Sequence, residues 1–178
     1  DRRILTISKI HEHLYRSAEA INTIEFGGYL RDLCRELQDT VAAGSGIAIM
    51  VEADAVDLPT DRVISLALIV NELVTNATKY AFAGAGEARA GGGEGESGDK
   101  RIDVRFRMTA DGGCRLSVAD NGRGLPADYR PETSPGLGMK VVSGLARSMR
   151  AELAFDSSSD GARFTIAFPP SACASASA

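Results

Sequence analysis

The sequence predicts an α+β fold, and three observations predict it. Stretches with apolar residues three and four apart are interspersed with short stretches in which apolar residues alternate. Their order is helix, helix, strand, long helix, two strands, helix, two strands, which is not the strict alternation of a doubly wound sheet. The chain has 178 residues, 44% hydrophobic and 25% charged, enough for one sizeable core or a small domain with an appendage.

Each element has its own signal. From residue 1 to about 25 we expect a helix, because Ile4, Ile7, His11, Leu14, Ala18 and Ile21 alternate three and four apart like a coiled-coil seam. Leu5, Ile10 and Tyr15 widen the stripe, so this helix needs a partner helix. Gly27-Gly28 should break it. A second amphipathic helix carries Leu30, Leu33, Cys34, Leu37 and Val41 and closes at Gly44-Ser45-Gly46. Ile47, Ile49 and Val51 alternate as a strand, and Pro59-Thr60-Asp61 opens a long helix to about Phe82. Residues 83–100 hold seven glycines and read as a flexible surface loop. The phosphate-binding spacing G-x-x-x-x-G-K-[ST] is absent there. Ile102, Val104, Phe106 and Met108 alternate, Gly112-Gly113 turns the chain, and the strand from Arg115 ends at Asp120. Residues 121–135 are a loop, a helix runs from near Gly136 to about Met149, and strands Glu152–Asp156 and Ala162–Phe168 close the fold. The tail, 171–178, is small and polar and is expected to be disordered.

Composition narrows the function classes. A net charge of −4 gives no basic field for nucleic acid or anionic membrane. The longest apolar run, Val63 to Val70, is too short to span a bilayer. The N-terminus begins no signal peptide, and the missing initiator Met leads us to expect a segment of a longer protein. Three scattered cysteines give neither a disulfide framework nor metal-ligand spacing, which favours a cytoplasmic setting, and with two histidines they argue against zinc.

Two motifs carry chemistry. On a helix at 100° per residue, measured from Glu72, Asn76 lies at about 40° and Lys79 at about −20°. Leu66, Val70, Leu73, Val74 and Ala77 lie at roughly 100–200°, the packing side. A solvated face with an i,i+4 polar pair accounts for such a helix equally well when it stands alone. With Mg²⁺ and a nucleotide triphosphate the groups acquire separate tasks. The Asn76 amide oxygen suits a metal that shares phosphate oxygens, Lys79 offers a point charge to phosphate, and Glu72 orients or deprotonates the attacking group. Asp120 ends an apolar strand, where a carboxylate is ordinarily a turn former, but where it also accepts from an exocyclic amine such as adenine N6. Gly122 and Gly124 allow close approach to a flat base, and Gly136 and Gly138 open a helix whose free N–H groups attract phosphate.

Three boxes in this order resemble the GHKL ATPase superfamily. Asn71-Glu72-Leu73-Val74-Thr75-Asn76-Ala77 is similar to its N box. Asp120-Asn121-Gly122-Arg123-Gly124-Leu125-Pro126 is similar to its G1 box, and Gly136-Leu137-Gly138-Met139 to its G2 box. The resemblance covers about residues 45 to 168. Ile10-His11-Glu12-His13-Leu14-Tyr15-Arg16-Ser17 resembles the second helix of the dimerisation and phosphotransfer region in HisKA_2 and HWE-like sensor histidine kinases. The resemblance implies a two-layer α/β sandwich, the Bergerat fold, with a mixed sheet covered by helices on one face. It divides the chain into the end of a dimerisation region (1–26), a catalytic ATP-binding domain (27–170) and the tail. It implies that Asn76 binds Mg²⁺ and ATP, Glu72 is catalytic, Lys79 reaches phosphate, Tyr80 lies along the adenine and Asp120 takes its amine. Gly122, Gly124, Gly136, Leu137 and Gly138 complete the ATP site, and the segment from Asn121 to Pro135 is the ATP lid. Pro135 replaces the small or hydroxyl residue usual before the second Gly box, which leaves Thr133 and Ser134 as phosphate contacts.

The resemblance implies transfer of the γ-phosphoryl of Mg·ATP to a histidine and onward to a response regulator receiver domain. The phosphoacceptor helix should precede Asp1, since no His-Arg-x-x-Asn-type motif is present. His11 is read as a packing residue of the seam and His13 as a surface residue, neither of them phosphorylated. The seam could pair two copies in a homodimer. Two other readings compete: a degenerate GHKL scaffold that binds no ATP, and an anti-sigma-type serine kinase. Intact Glu72, Asn76 and Asp120 argue against the first, and the seam has no use in the second.

Overall fold

The computed structural model describes residues 23–83, 100–131 and 137–170. The seam with His11 and His13, the Gly-rich stretch 84–99, Thr133, Ser134, Pro135 and Gly136, and the tail lie outside the described residues. At its described end the expected first helix is corrected. Thr23–Glu25 is a strand, β1, paired antiparallel with Asp57–Pro59, β3. The helical spacing stops at Ile21, and β-branched Thr23 and Ile24 suit an extended backbone.

Gly27 and Gly28 do not break a helix; they open one. Helix α1 spans Phe26–Thr40, and both carboxylate oxygens of Glu25 cap it, accepting from Gly27 N–H at 2.7 Å and Gly28 N–H at 2.8 Å. Two orphan donors are thereby satisfied by a charge placed at the positive end of the helix. The buried side of α1 is the expected one: Leu30, Leu33, Cys34 and Leu37, with Phe26 added.

The main sheet has five strands. These are β2 (Ile47–Ala53), β4 (Lys100–Met108), β5 (Cys114–Asp120), β6 (Glu152–Ser158) and β7 (Gly161–Phe168), in the order β2-β4-β5-β7-β6. β2 and β4 are parallel and the other pairs antiparallel, so the sheet is mixed as expected. α1 covers the outer edge of β2. Gln38 accepts from Ile49 N–H at 2.7 Å and donates to Ile47 O at 3.0 Å, and Arg31 donates to Ala53 O at 2.6 Å. Those side chains occupy backbone groups that an open edge would offer to another chain.

Helix α2 (Thr60–Asn76) and helix α3 (Leu137–Ser148) share one hydrophobic core with α1 and the inward side chains of the sheet. Ile102, Val104 and Phe106 of β4 face that core while Arg105 and Arg107 point away, the two-residue alternation of a sheet covered on one face. Phe26 meets Phe106 edge-on, with centroids 4.8 Å apart. On the open face Arg107 pairs with Glu52 at 2.6 Å and Asp54 at 2.8 Å, exposed contacts that solvent screens and that add little to stability.

Cys34 is a free, buried thiol, pushed up to about 12 by desolvation. Cys114 is disulfide-bonded, which the scattered spacing did not foretell. Among the described residues no helix is long and apolar enough to cross a membrane.

Candidate functional site

The site starts from α2. Leu66, Val70, Leu73, Val74 and Ala77 are buried, as their spacing requires, which turns Glu72 and Asn76 to the other side. Glu72 Oε2 is inaccessible to solvent and has no hydrogen-bond partner among the described residues. Gly138, in the first turn of α3, explains the crowding. A Cβ there would collide with Glu72 Oε2 and would lie 3.7 Å from Asn76 Nδ2. Only glycine lets the start of α3 approach those two side chains.

Beyond Asn76 the helix departs from the expected geometry. Residues Ala77–Ala81 form a π-helical turn instead of continuing the α-helix to Phe82. Thr78 Oγ1 donates to Val74 O at 2.9 Å, so the side chain occupies the carbonyl that its own N–H would use in an α-helix. A wider turn advances fewer degrees per residue, so Lys79 does not fall where a straight helix puts it. Lys79 is exposed and is not among the residues lining the cavity beside α2; Tyr80, 59% exposed, lines it.

Asp120 ends β5 beside the hairpin of β6 and β7. Its Oδ1 accepts from Gly122 N–H at 2.9 Å and Ala162 N–H at 3.3 Å, and Oδ2 takes none of the hydrogen bonds among the described residues. Burial raises its pKa above the ordinary aspartate value, against the lowering effect of the two backbone donors. The loop after Asp120 is fastened on both sides. Arg123 N–H donates to Ala81 O at 3.0 Å, and Leu125 N–H donates to Ser157 Oγ at 2.7 Å. Gly124 has φ +73°, and a Cβ there would collide with Ser158 O. Gly124→Ala is therefore expected to lower stability by about 2 kcal/mol, read as a lower urea midpoint with an unchanged slope.

These elements enclose a cavity of ≈ 310 Å³. Leu73, Ala77, Val118, Met139 and Phe164 give it apolar walls, and Asn76 and Asp120 are polar groups on its lining. Gly124, Leu125, Pro126 and Tyr129 close it on the loop side, and Leu137 and Gly138 on the α3 side. A mostly apolar cleft of this size with few polar groups suits a small flat ligand. The structure thus brings together Asn76, Tyr80, Asp120, Gly124, Leu137 and Gly138, with Glu72 against Gly138 and Gly122 packed on Ala81. Sequence reasoning missed Tyr129, Phe164 and Phe155. Their signal was an aromatic residue inside a Pro- and Gly-rich loop and two phenylalanines on adjacent closing strands.

Comparison with known proteins bears out the resemblance. Residues 61–172 match the family model described as histidine kinase-, DNA gyrase B- and HSP90-like ATPase. The chain belongs to this ATPase family. Residues 1–41 of this family member match a second model, described as histidine kinase. Blue-light-activated histidine kinase 2 of Erythrobacter litoralis is 28% identical over 155 residues, covering 85% of this chain and 41% of that protein. Sensor histidine kinase PdtaS of Mycolicibacterium smegmatis is 26% identical over 141 residues, covering 79% of this chain and 26% of that protein. The chain thus spans less than half the length of these relatives. Among solved structures, the histidine kinase domain from the Erythrobacter litoralis EL346 blue-light-activated histidine kinase superposes with a TM-score of 0.77 at 26% identity, over 96% of this chain and 74% of that one. Full-length ShkA in complex with AMPPNP shares the fold, with a TM-score of 0.61 at 21% identity, over 94% of this chain and 36% of that one.

Proposed function

We propose that this ATPase-family chain is the ATP-binding catalytic part of a sensor histidine kinase. Residues 27–170 would form the catalytic domain and residues 1–26 the end of the dimerisation and phosphotransfer region. One observation carries the reading: a half-buried carboxylate, Asp120, lines the same apolar cavity as Asn76, with Glu72 close by against Gly138. A cavity of that composition takes adenine, with its N6 amine donating to Asp120 Oδ2. Tyr80 lies along the base, and Gly122 and Gly124 shape the turn beside it.

The phosphates would run toward α2 and the start of α3. Gly138 lets the α3 backbone come close, and Leu137 and Gly138 lie in the first turn, where unpaired N–H groups favour anions. The donor set fits Mg²⁺ shared with phosphate oxygens, since Asn76 supplies a neutral amide oxygen. When bound, Mg²⁺ neutralises charge on the phosphates. Lys79, three residues beyond Asn76 and outside the cavity lining, would have to reach the same charge with its long arm. Thr133, Ser134 and Gly136 would complete the phosphate contacts. Glu72 accepts the proton of the attacking imidazole as the N–P bond forms and the β,γ-bridging P–O bond breaks, releasing ADP. The acceptor is a histidine on the preceding helix of the whole kinase. The phosphoryl group then passes to an aspartate of a response regulator in the cytoplasm, where ATP is available.

Calorimetry tests the assignment. The chain should bind ATP more tightly with Mg²⁺ than without it. Asn76→Asp sets a second carboxylate beside Glu72 and should weaken Mg·ATP at least about tenfold while leaving adenosine affinity within about twofold. Equal loss for both ligands would move the metal away from Asn76.

A further inference from the structure

The loop wall of the cavity is held from outside it. Phe155 stands on the edge strand β6, is 37% exposed, and does not line the cavity. Its ring nevertheless meets Tyr129 edge-on, with centroids 5.5 Å apart at 84°. Tyr129 also meets Phe164 edge-on at 6.2 Å, and Phe155 faces Phe164 across the β6–β7 ladder. Tyr129 and Phe164 both line the cavity. Two residues along β6, and so on the same face of the strand, Ser157 Oγ accepts the Leu125 N–H at 2.7 Å. The next carbonyl, that of Ser158, sits against Gly124. One edge strand thus grips the loop at Gly124, Leu125 and Tyr129 without contributing an atom to the cavity lining.

We infer that Phe155 and Ser157 are positioning residues that fix the loop wall over the bound nucleotide, acting through Tyr129 and Leu125. The inference rests on the nucleotide reading above. The loop carries Gly122, Gly124 and Pro126 and has no helix or strand of its own between Asn121 and Arg130. Left unfastened, it would have to be ordered by the ligand at a cost in affinity; fastened to β6, it presents Leu125 and Tyr129 already in place. A wall that is loosened without losing any ligand contact shortens the lifetime of the complex more than it slows association.

The test measures affinity and dissociation rate of a fluorescent ATP analogue by stopped flow, together with the thermal midpoint. The proteins are the wild type, Phe155→Ala, Phe155→Tyr, Ser157→Val, Ser157→Thr and Asp120→Asn. Phe155→Ala and Ser157→Val should each weaken binding about five- to tenfold, chiefly through faster dissociation. Phe155→Tyr keeps the edge-on ring and Ser157→Thr keeps the accepting oxygen, so both should bind within about twofold of wild type. Trypsin should cut after Arg123 faster in the two weakened variants. Unchanged affinity and unchanged cutting in Phe155→Ala and Ser157→Val would overturn the inference, as would equal losses in the paired conservative variants. If the latch variants keep their affinity while Asp120→Asn loses it, the inference falls and the nucleotide reading stands. A wild type that binds no nucleotide overturns both.

Discussion

Asp120→Asn is expected to weaken adenine nucleotide binding by at least about a hundredfold while leaving the fold as stable as before. The two effects separate because the two carboxylate oxygens have different work. Oδ1 holds the Gly122 and Ala162 N–H groups, and an asparagine carbonyl accepts both bonds as well. In the proposed site Oδ2 is the acceptor offered to the base, and asparagine would replace it with an NH₂ that faces the adenine amine donor to donor. A buried donor left facing a donor loses the bond and keeps the desolvation cost, which is why sites built for one polar group discriminate strongly. The pH dependence has two opposite signs. Burial raises the Asp120 pKa in the folded chain, so the folded state holds its proton more tightly than the unfolded state. The stability contribution is fully present below the unfolded pKa and is lost as pH rises through the raised folded value. Nucleotide affinity runs the other way. It needs the ionised acceptor and should fall as pH drops toward the raised pKa, at a higher pH than an ordinary aspartate would give. Both dependences should vanish in Asp120→Asn, as calorimetry and thermal melts across the acid range would show. A variant that binds ATP like the wild type would remove Asp120 from the base site.

Much of this arrangement is legible in the sequence because it rests on period and on turn chemistry. The apolar spacing of α2 separated Leu66, Val70, Leu73, Val74 and Ala77 from Glu72 and Asn76, and burial follows that division. What escaped has physical reasons. β1 is three residues long and pairs with an equally short strand more than thirty residues away, so its existence depends on a partner that no local pattern announces. The π turn at Ala77–Ala81 keeps an amphipathic sequence and changes only the angle per residue, where the Thr78 hydroxyl donates to the Val74 carbonyl. The placement inferred for Lys79 depended on that angle. The aromatic cluster of Tyr129, Phe155 and Phe164 joins a loop to two strands, and the β6–β7 register that aligns the phenylalanines is a tertiary property.

If the proposed function holds, Glu72→Gln should abolish most phosphoryl transfer in the full-length protein without weakening the fold. Glu72 Oε2 is buried and unpartnered among the described residues, and the start of α3 presses on it at Gly138. Such an oxygen contributes little to folding, because its desolvation is not offset by a hydrogen bond. Gln has nearly the same shape and removes the charge, so stability should stay within about 1 kcal/mol of wild type or rise. Removing a negative charge near the triphosphate also leaves ATP affinity equal or tighter. Chemistry suffers instead, since an amide takes no proton from the attacking imidazole, and loss of a general base costs about 10²–10⁴-fold. A kinase that melts no lower, binds ATP no worse and transfers phosphate at least about a hundredfold more slowly is the expected result, measured with radiolabelled ATP in single turnover. A desolvation cost removed with the charge reads as stability kept or gained where activity is lost, the pattern of a residue kept for its reaction. If transfer continues at the wild-type rate, Glu72 is only a packing residue against Gly138, and the proton must leave by another route.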